Sequence, residues 1–249
     1  MITIRPSAER GSANFGWLDT KHTFSFGSYY DPKYTGFGNL LVINEDIISP
    51  GQGFGTHGHQ DMEIVTYVIA GELAHKDSIG NEETIPEGEV QRMTAGTGIR
   101  HSEYNHSNQD LVHLLQIWIL PDTKNLTPSY EQKSFSRDEK QGKLCLLVSG
   151  DGRENSIKIH QNVDLFASIL NVGESVTHSF DNDDYGWIQV IKGEISIVES
   201  TSTPDKKLLS AIENTSLSAG DGASIQQEKE IKIISSQPDT EFLWFHFKS

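Results

Sequence analysis

One cysteine, Cys145, stands alone in 249 residues, so an intrachain disulfide framework is excluded. No apolar run is long enough for a membrane-spanning helix. The opening "MITIRPSAERGSANFGWLD" is polar and lacks the apolar centre of a secretion signal. Together these absences make the cytoplasm the expected compartment. Cations are scarce as well. Lys and Arg number 20 against 35 Asp and Glu, for a formal net charge of -15, and no Lys/Arg cluster breaks the acidic surface. Such a chain repels phosphate backbones, so neither nucleic acid nor membrane is an expected partner.

Helix-period patterns are also rare. Short apolar or alternating runs dominate instead: "NLLVINEDII", "MEIVTYVIAGEL", "LVHLLQIWIL", "LFASILNV", "YGWIQVIKGEISIV" and "TEFLWFHFK", separated by Gly, Asp, Asn and Pro. Many short strands punctuated by turn residues predict an all-β fold of sandwich or barrel type. The chain also repeats itself weakly. "YVIAGELA" at Tyr67–Ala74 aligns with "QVIKGEIS" at Gln189–Ser196, and "MTAGTG" at Met93–Gly98 aligns with "LSAGDG" at Leu217–Gly222. Two copies of one β-unit are therefore expected, residues 1–130 and 131–249, with the polar stretch Lys124–Lys143 around the junction.

Chemistry concentrates in the first copy. Strand side chains alternate faces with period two. In "GFGTHGHQDMEIV" His57 and His59 therefore point the same way, and in "GIRHSEYN" so do His101 and Glu103. If the two strands are neighbours facing one interior, three imidazoles and a carboxylate converge. That donor set suits one divalent transition metal: iron, nickel, copper, manganese or zinc. Glu63 shares the parity of His57 and His59 if their strand stays regular, which places it as a supporting or additional ligand. His22 is read as a group at the mouth of the site or as a packing residue. Phe24, Phe26 and Phe54 are candidate walls for an aromatic ligand. In the second copy only His178 stands near the histidine-pair position, and His160 and His246 read as structural histidines. Cys145, in "KLCLLV", reads as a small buried hydrophobe.

The segments "GQGFGTHGHQDMEIVTYVIAG" and "MTAGTGIRHSEYN" resemble the two cupin motifs. With "GWLDTKHTFSFGSYYDP" and "LQIWILP", the combination resembles the pirin family of cupins, across nearly all of the first copy and more loosely the second. The resemblance implies a bicupin, two β-barrel domains of double-stranded β-helix type, with one metal, usually iron, in the N-terminal domain. It implies His57, His59, His101 and Glu103 as the ligands. It implies a quercetin 2,3-dioxygenase activity that opens the heterocyclic ring of a flavonol with dioxygen and releases carbon monoxide. Glu103 is then the expected catalytic base and Glu63 the runner-up. The alternative within the same family is a non-catalytic, redox-sensing metal protein that acts on a protein partner.

Overall fold

The computed structural model describes residues 1–181, 183–199 and 215–249. Two compact units divide the chain. The first comprises Arg10–Ser136 and Ser149–Gln161; the second comprises Met1–Glu9, Arg137–Val148 and Asn162–Ser249.

The strands are β1 (Ile2–Arg5), β2 (Gly11–Asn14), β3 (Leu18–His22), β4 (Leu40–Ile48), β5 (Gly53–His59), β6 (Glu63–Ala70), β7 (Glu72–Asp77), β8 (Glu82–Pro86), β9 (Glu89–Thr94), β10 (Ile99–Asn105), β11 (Val112–Ile119) and β12 (Ser129–Ser134). They continue as β13 (Cys145–Ser149), β14 (Ile157–Lys158), β15 (Val163–Leu170), β16 (Ser175–Ser179), β17 (Tyr185–Lys192), β18 (Glu194–Glu199), β19 (Thr215–Ser218), β20 (Gly222–Gln226), β21 (Glu230–Ser235) and β22 (Thr240–Phe247). Among the described residues one four-residue α-helix, Arg137–Lys140, accompanies them, and no helix is long and apolar enough to cross a membrane.

In the first unit a large sheet runs β12-β9-β6-β11-β4-β3-β2 and a small one β5-β10-β7-β8. Ile48, Val68 and Leu114 of the large sheet pack with Leu73 and Ile85 of the small one, so the apolar core lies between the sheets. The second unit repeats the plan, with β1-β20-β17-β22-β15-β13 and β16-β21-β18-β19. The all-β, two-domain expectation therefore holds, with one correction. The sheets keep open edges and do not close into barrels, because the chain leaves one sheet for the other at bends. One such bend separates His59 from Glu63, with Asp61 at a φ of 48°.

The first repeat match is structural. Gly71 turns β6 into β7 and Gly193 turns β17 into β18, at φ values of 81° and 79°, a region that only glycine enters freely. The second match is displaced by one strand. "MTAGTG" leads from β9 into β10, whereas "LSAGDG" joins β19 to β20, and the sheet order makes β20 the counterpart of β9. An Ala-Gly turn can serve any hairpin corner, so its sequence does not fix which corner it serves.

Candidate metal centre

Two antiparallel strands of the small sheet bring the donors together. His57 on β5 lies directly opposite His101 on β10, and β10 continues on its other side against β7. The alternation on β10 buries Ile99, His101, Glu103 and Asn105 and turns Arg100 and Tyr104 outward. Between His101 and Glu103 the pairing shifts by one residue, so that Phe54 stands opposite Glu103. This bulge puts Phe54 on the face of His57 despite their odd spacing. Gly53 permits the close approach: a Cβ there would collide with the Glu103 carbonyl oxygen and the Tyr104 Cα.

His57, His59 and His101 each offer a donor atom, and these atoms lie within 4.8 Å of one another. The Nε2 atoms of His57 and His101 face each other at 3.1 Å. Two nitrogens bound at right angles to one ion, each at about 2.1 Å, would stand about 3 Å apart, so this spacing fits a shared metal. The His57 Nδ1–H can donate to the Gly55 carbonyl oxygen at 2.9 Å, which fixes the tautomer that leaves Nε2 bare. Burial holds the His59 imidazole down to about 4, with the His57 charge adding to the effect. Burial and the charges of His57, His59 and His75 hold His101 down to about 3, against a small opposing effect of Asp77. Both rings are therefore neutral at pH 7, the state a metal requires.

Glu103 sits in a second grouping, with His75 and His101, whose donor atoms also lie within 4.8 Å. It is buried, and both its oxygens accept side-chain amide hydrogens, Oε1 from Gln91 at 3.1 Å and Oε2 from Gln116 at 2.7 Å. Gln91 also donates to the Thr66 hydroxyl, which in turn donates to Gln116 Oε1. Burial raises the Glu103 carboxyl to about 7, with the Asp46 charge adding to the rise and Gln116, Gln91 and Thr66 opposing it. This carboxyl can thus hold or release a proton near neutrality.

Glu63 lies elsewhere. The bend at Asp61 moves it to β6 in the large sheet, where the Thr94 hydroxyl donates to Oε2 at 3.0 Å and His160 Nδ1 lies 3.1 Å from Oε1. The regular-strand premise that aligned it with His57 and His59 does not hold. His160 is satisfied by that carboxylate, as a structural histidine should be. His113 pairs with Glu45 at 3.0 Å.

His75 is not among the residues expected from the sequence. It stacks on Tyr130 at 4.8 Å, lies 3.2 Å from Asp77 through Nε2, and has a buried Nδ1 with no hydrogen-bond partner among the described residues. Its signal was the alternation His75-x-Asp77 in "ELAHKD". Gln91, beside Arg92 in "EVQRMT", and Gln116, in "VHLLQIWI", carry no comparable local signal.

A cavity of about 230 Å³ opens beside the donors, and His57 and Glu103 line it. Phe26, Phe54 and Trp118 form apolar walls, and the largely exposed Phe15 also borders it. Of the expected wall residues, Phe24 is instead core. His22 does line the cavity, with Nδ1 2.8 Å from Asn44 Oδ1.

Known proteins match this chain end to end. The Pirin profile covers residues 4–119, and one described as "Quercetinase C-terminal cupin domain" covers residues 146–247. A protein of Escherichia coli K12 named quercetin 2,3-dioxygenase is 47% identical over 98% of each chain. The chain belongs to the pirin family. Its fold is that of a bicupin, with a cupin-type domain in each half. A bacterial pirin from Escherichia coli, solved in complex with nickel(II), superposes with a TM-score of 0.88 at 46% identity and covers 99% of both chains. A pirin-like protein of Caulobacter vibrioides is 36% identical over 94% of this chain and 95% of its own.

Proposed function

We propose that this pirin is a metal-dependent dioxygenase that opens the heterocyclic ring of flavonols such as quercetin, with His57, His59, His101 and Glu103 as metal ligands. The observation that carries the reading is the cluster of three imidazoles beside a buried carboxyl, on the wall of an apolar cavity. The Escherichia coli relative named for the same reaction supports it. Iron is the metal that the resemblance implies, and nickel(II) is the metal in the relative's structure.

One flavonol and one dioxygen give one depside and one carbon monoxide. A bound divalent metal supplies Lewis acidity to the enol hydroxyl of the substrate. The residues do the rest. Phe26, Phe54 and Trp118 hold the aromatic rings and keep water from the electron-rich enolate. Glu103 takes the enol proton on a carboxylate oxygen. Gln91 and Gln116 hold it in place. Glu63 is the weaker candidate, because it lies on β6 in the large sheet and belongs to neither donor grouping.

The test is quercetin turnover by metal-stripped protein reloaded separately with iron, nickel, manganese and copper. Metal-dependent loss of quercetin matched one-to-one by dioxygen uptake is the expected result. Loaded protein with no turnover would defeat the enzyme reading and favour a metal-dependent interaction with a protein partner.

A further inference from the structure

Of the three imidazoles proposed as ligands, His59 has the least support from hydrogen bonds and strand pairing. His57 is tied through Nδ1 to the Gly55 carbonyl oxygen, and His101 is buried on the inner strand β10. His59 is the last residue of β5, an edge strand, and the chain leaves that sheet just beyond it, at Asp61. Among the described residues no hydrogen bond reaches its ring. A metal-binding histidine normally donates its second N–H to a fixed acceptor, which sets the ring's orientation. His59 has a ring contact in that place. The Trp118 indole stands 4.9 Å from it between centroids, with 83° between planes, the edge-to-face geometry. The indole is itself fixed: β11 lies between β6 and β4 in the large sheet, and Trp118 packs against the buried Ile64, Met93, Ala95 and Ile99.

The second unit keeps such a pair at the same two positions. Ile64 and Gly186 each stand seven residues before the turn glycine, Gly71 or Gly193, and they face Trp118 and His246. His59 lies two residues beyond His57, and Phe180 two beyond His178. Phe180 and His246 meet at 5.6 Å and 86°. A perpendicular ring pair thus spans these positions in both units, with the imidazole on opposite members, so the pairing belongs to the strand plan. We infer that Trp118 is a positioning residue of the metal centre: its indole holds the His59 imidazole in the orientation in which it binds the metal, the task that the Gly55 carbonyl performs for His57. The inference rests on the metal reading above. Trp118 also lines the cavity, perpendicular to Phe26 at 5.4 Å, so one side chain braces a ligand of the metal and walls the substrate.

The test is titration of metal-stripped protein with cobalt(II), whose visible ligand-field bands report the number and geometry of its ligands. Trp118→Leu should bind cobalt(II) about tenfold more weakly than wild type, with altered bands. Trp118→Phe, which keeps an aromatic ring there, should recover to within about threefold of wild type. Trp118→Met carries the same expectation as the leucine variant and serves if that one does not fold. His59→Ala separates positioning from a general loosening of the site. In that background Trp118→Leu should cost no more than about twofold, because the indole acts only through the ring that is gone. An undiminished loss in the His59→Ala background, or wild-type affinity and bands in Trp118→Leu, overturns the role of Trp118 alone. Wild type that takes up no cobalt(II) defeats the metal reading and this inference with it.

Discussion

The two units share a strand plan, and equivalent positions carry opposite chemistry. Register fixes the equivalences. His57 faces His101 across β5 and β10, and His178 faces Ile231 across β16 and β21. His75 faces Glu103 across β7 and β10, and Ile197 faces Ile233 across β18 and β21. Gln116 on β11 faces Thr66, which faces Gln91; Trp244 on β22 faces Ile188, which faces Ala223. One step further, Asp46 corresponds to Ser168. Of the imidazoles only His178 persists, with its rim closed by Phe166, Phe180 and Trp244. Ile188, Ile197, Ala223, Ile231, Ile233 and Trp244 join one apolar core, and Trp244 is accommodated because Gly186 has no side chain where the indole lies. A cupin-type interior is thus stable when filled with hydrocarbon. The polar set of the first unit is the costlier filling, since buried polar groups cost stability unless each is paired, and the proposed metal site accounts for it.

The comparison can be broken by writing one unit's residues into the other. His101→Ile with Glu103→Ile copies the second unit. The double variant should lose about a hundredfold or more in metal affinity while keeping or raising its melting temperature, checked by metal titration and thermal unfolding. Glu103→Gln should keep part of its metal and lose about 10²- to 10⁴-fold in quercetin turnover. Glu63→Gln should cost far less in the same assay, and the reverse order would assign the base to Glu63. In the other direction, Ile231→His places an unpaired imidazole in a fully buried site and should destabilise by about 2–4 kcal/mol in denaturant unfolding.

The smallest effect is a pH dependence. Burial, aided by the His246 charge, holds His178 at about 4 in the fold against 6.5 for the free side chain. Between those values the unfolded chain binds the proton and the fold does not, so stability falls as pH drops from 6.5 towards 4. His178→Phe should remove this loss and be more stabilising at pH 5 than at pH 8, by about 1 kcal/mol for a ring that keeps some contact with solvent.

The pairs proposed as ligands are legible because period-two spacing puts His57 with His59 and His101 with Glu103 whatever the rest of the chain does. The bicupin plan followed from the Gly71 and Gly193 turns and the family motifs. What the sequence hid depends on long-range pairing. The bulge that brings Phe54 beside Glu103 exists only between β5 and β10. The bend that removes Glu63 turns on one backbone angle at Asp61. Gln91 and Gln116 reach Glu103 from two other strands, so no local spacing announces them, and the His75-x-Asp77 alternation does not tell that β7 lies against β10. The misplaced Ala-Gly match concealed which second-unit residues stand where His101 and Glu103 do, and only strand pairing identifies Ile231 and Ile233.

The most direct measurement is a titration of metal-free protein with iron(II) or nickel(II), recording metal bound per chain and quercetin-dependent dioxygen uptake at each point. The account predicts one ion per chain, with uptake rising in proportion and saturating at that stoichiometry. Uptake without metal, or a chain fully loaded in the first unit that consumes no dioxygen, would contradict it.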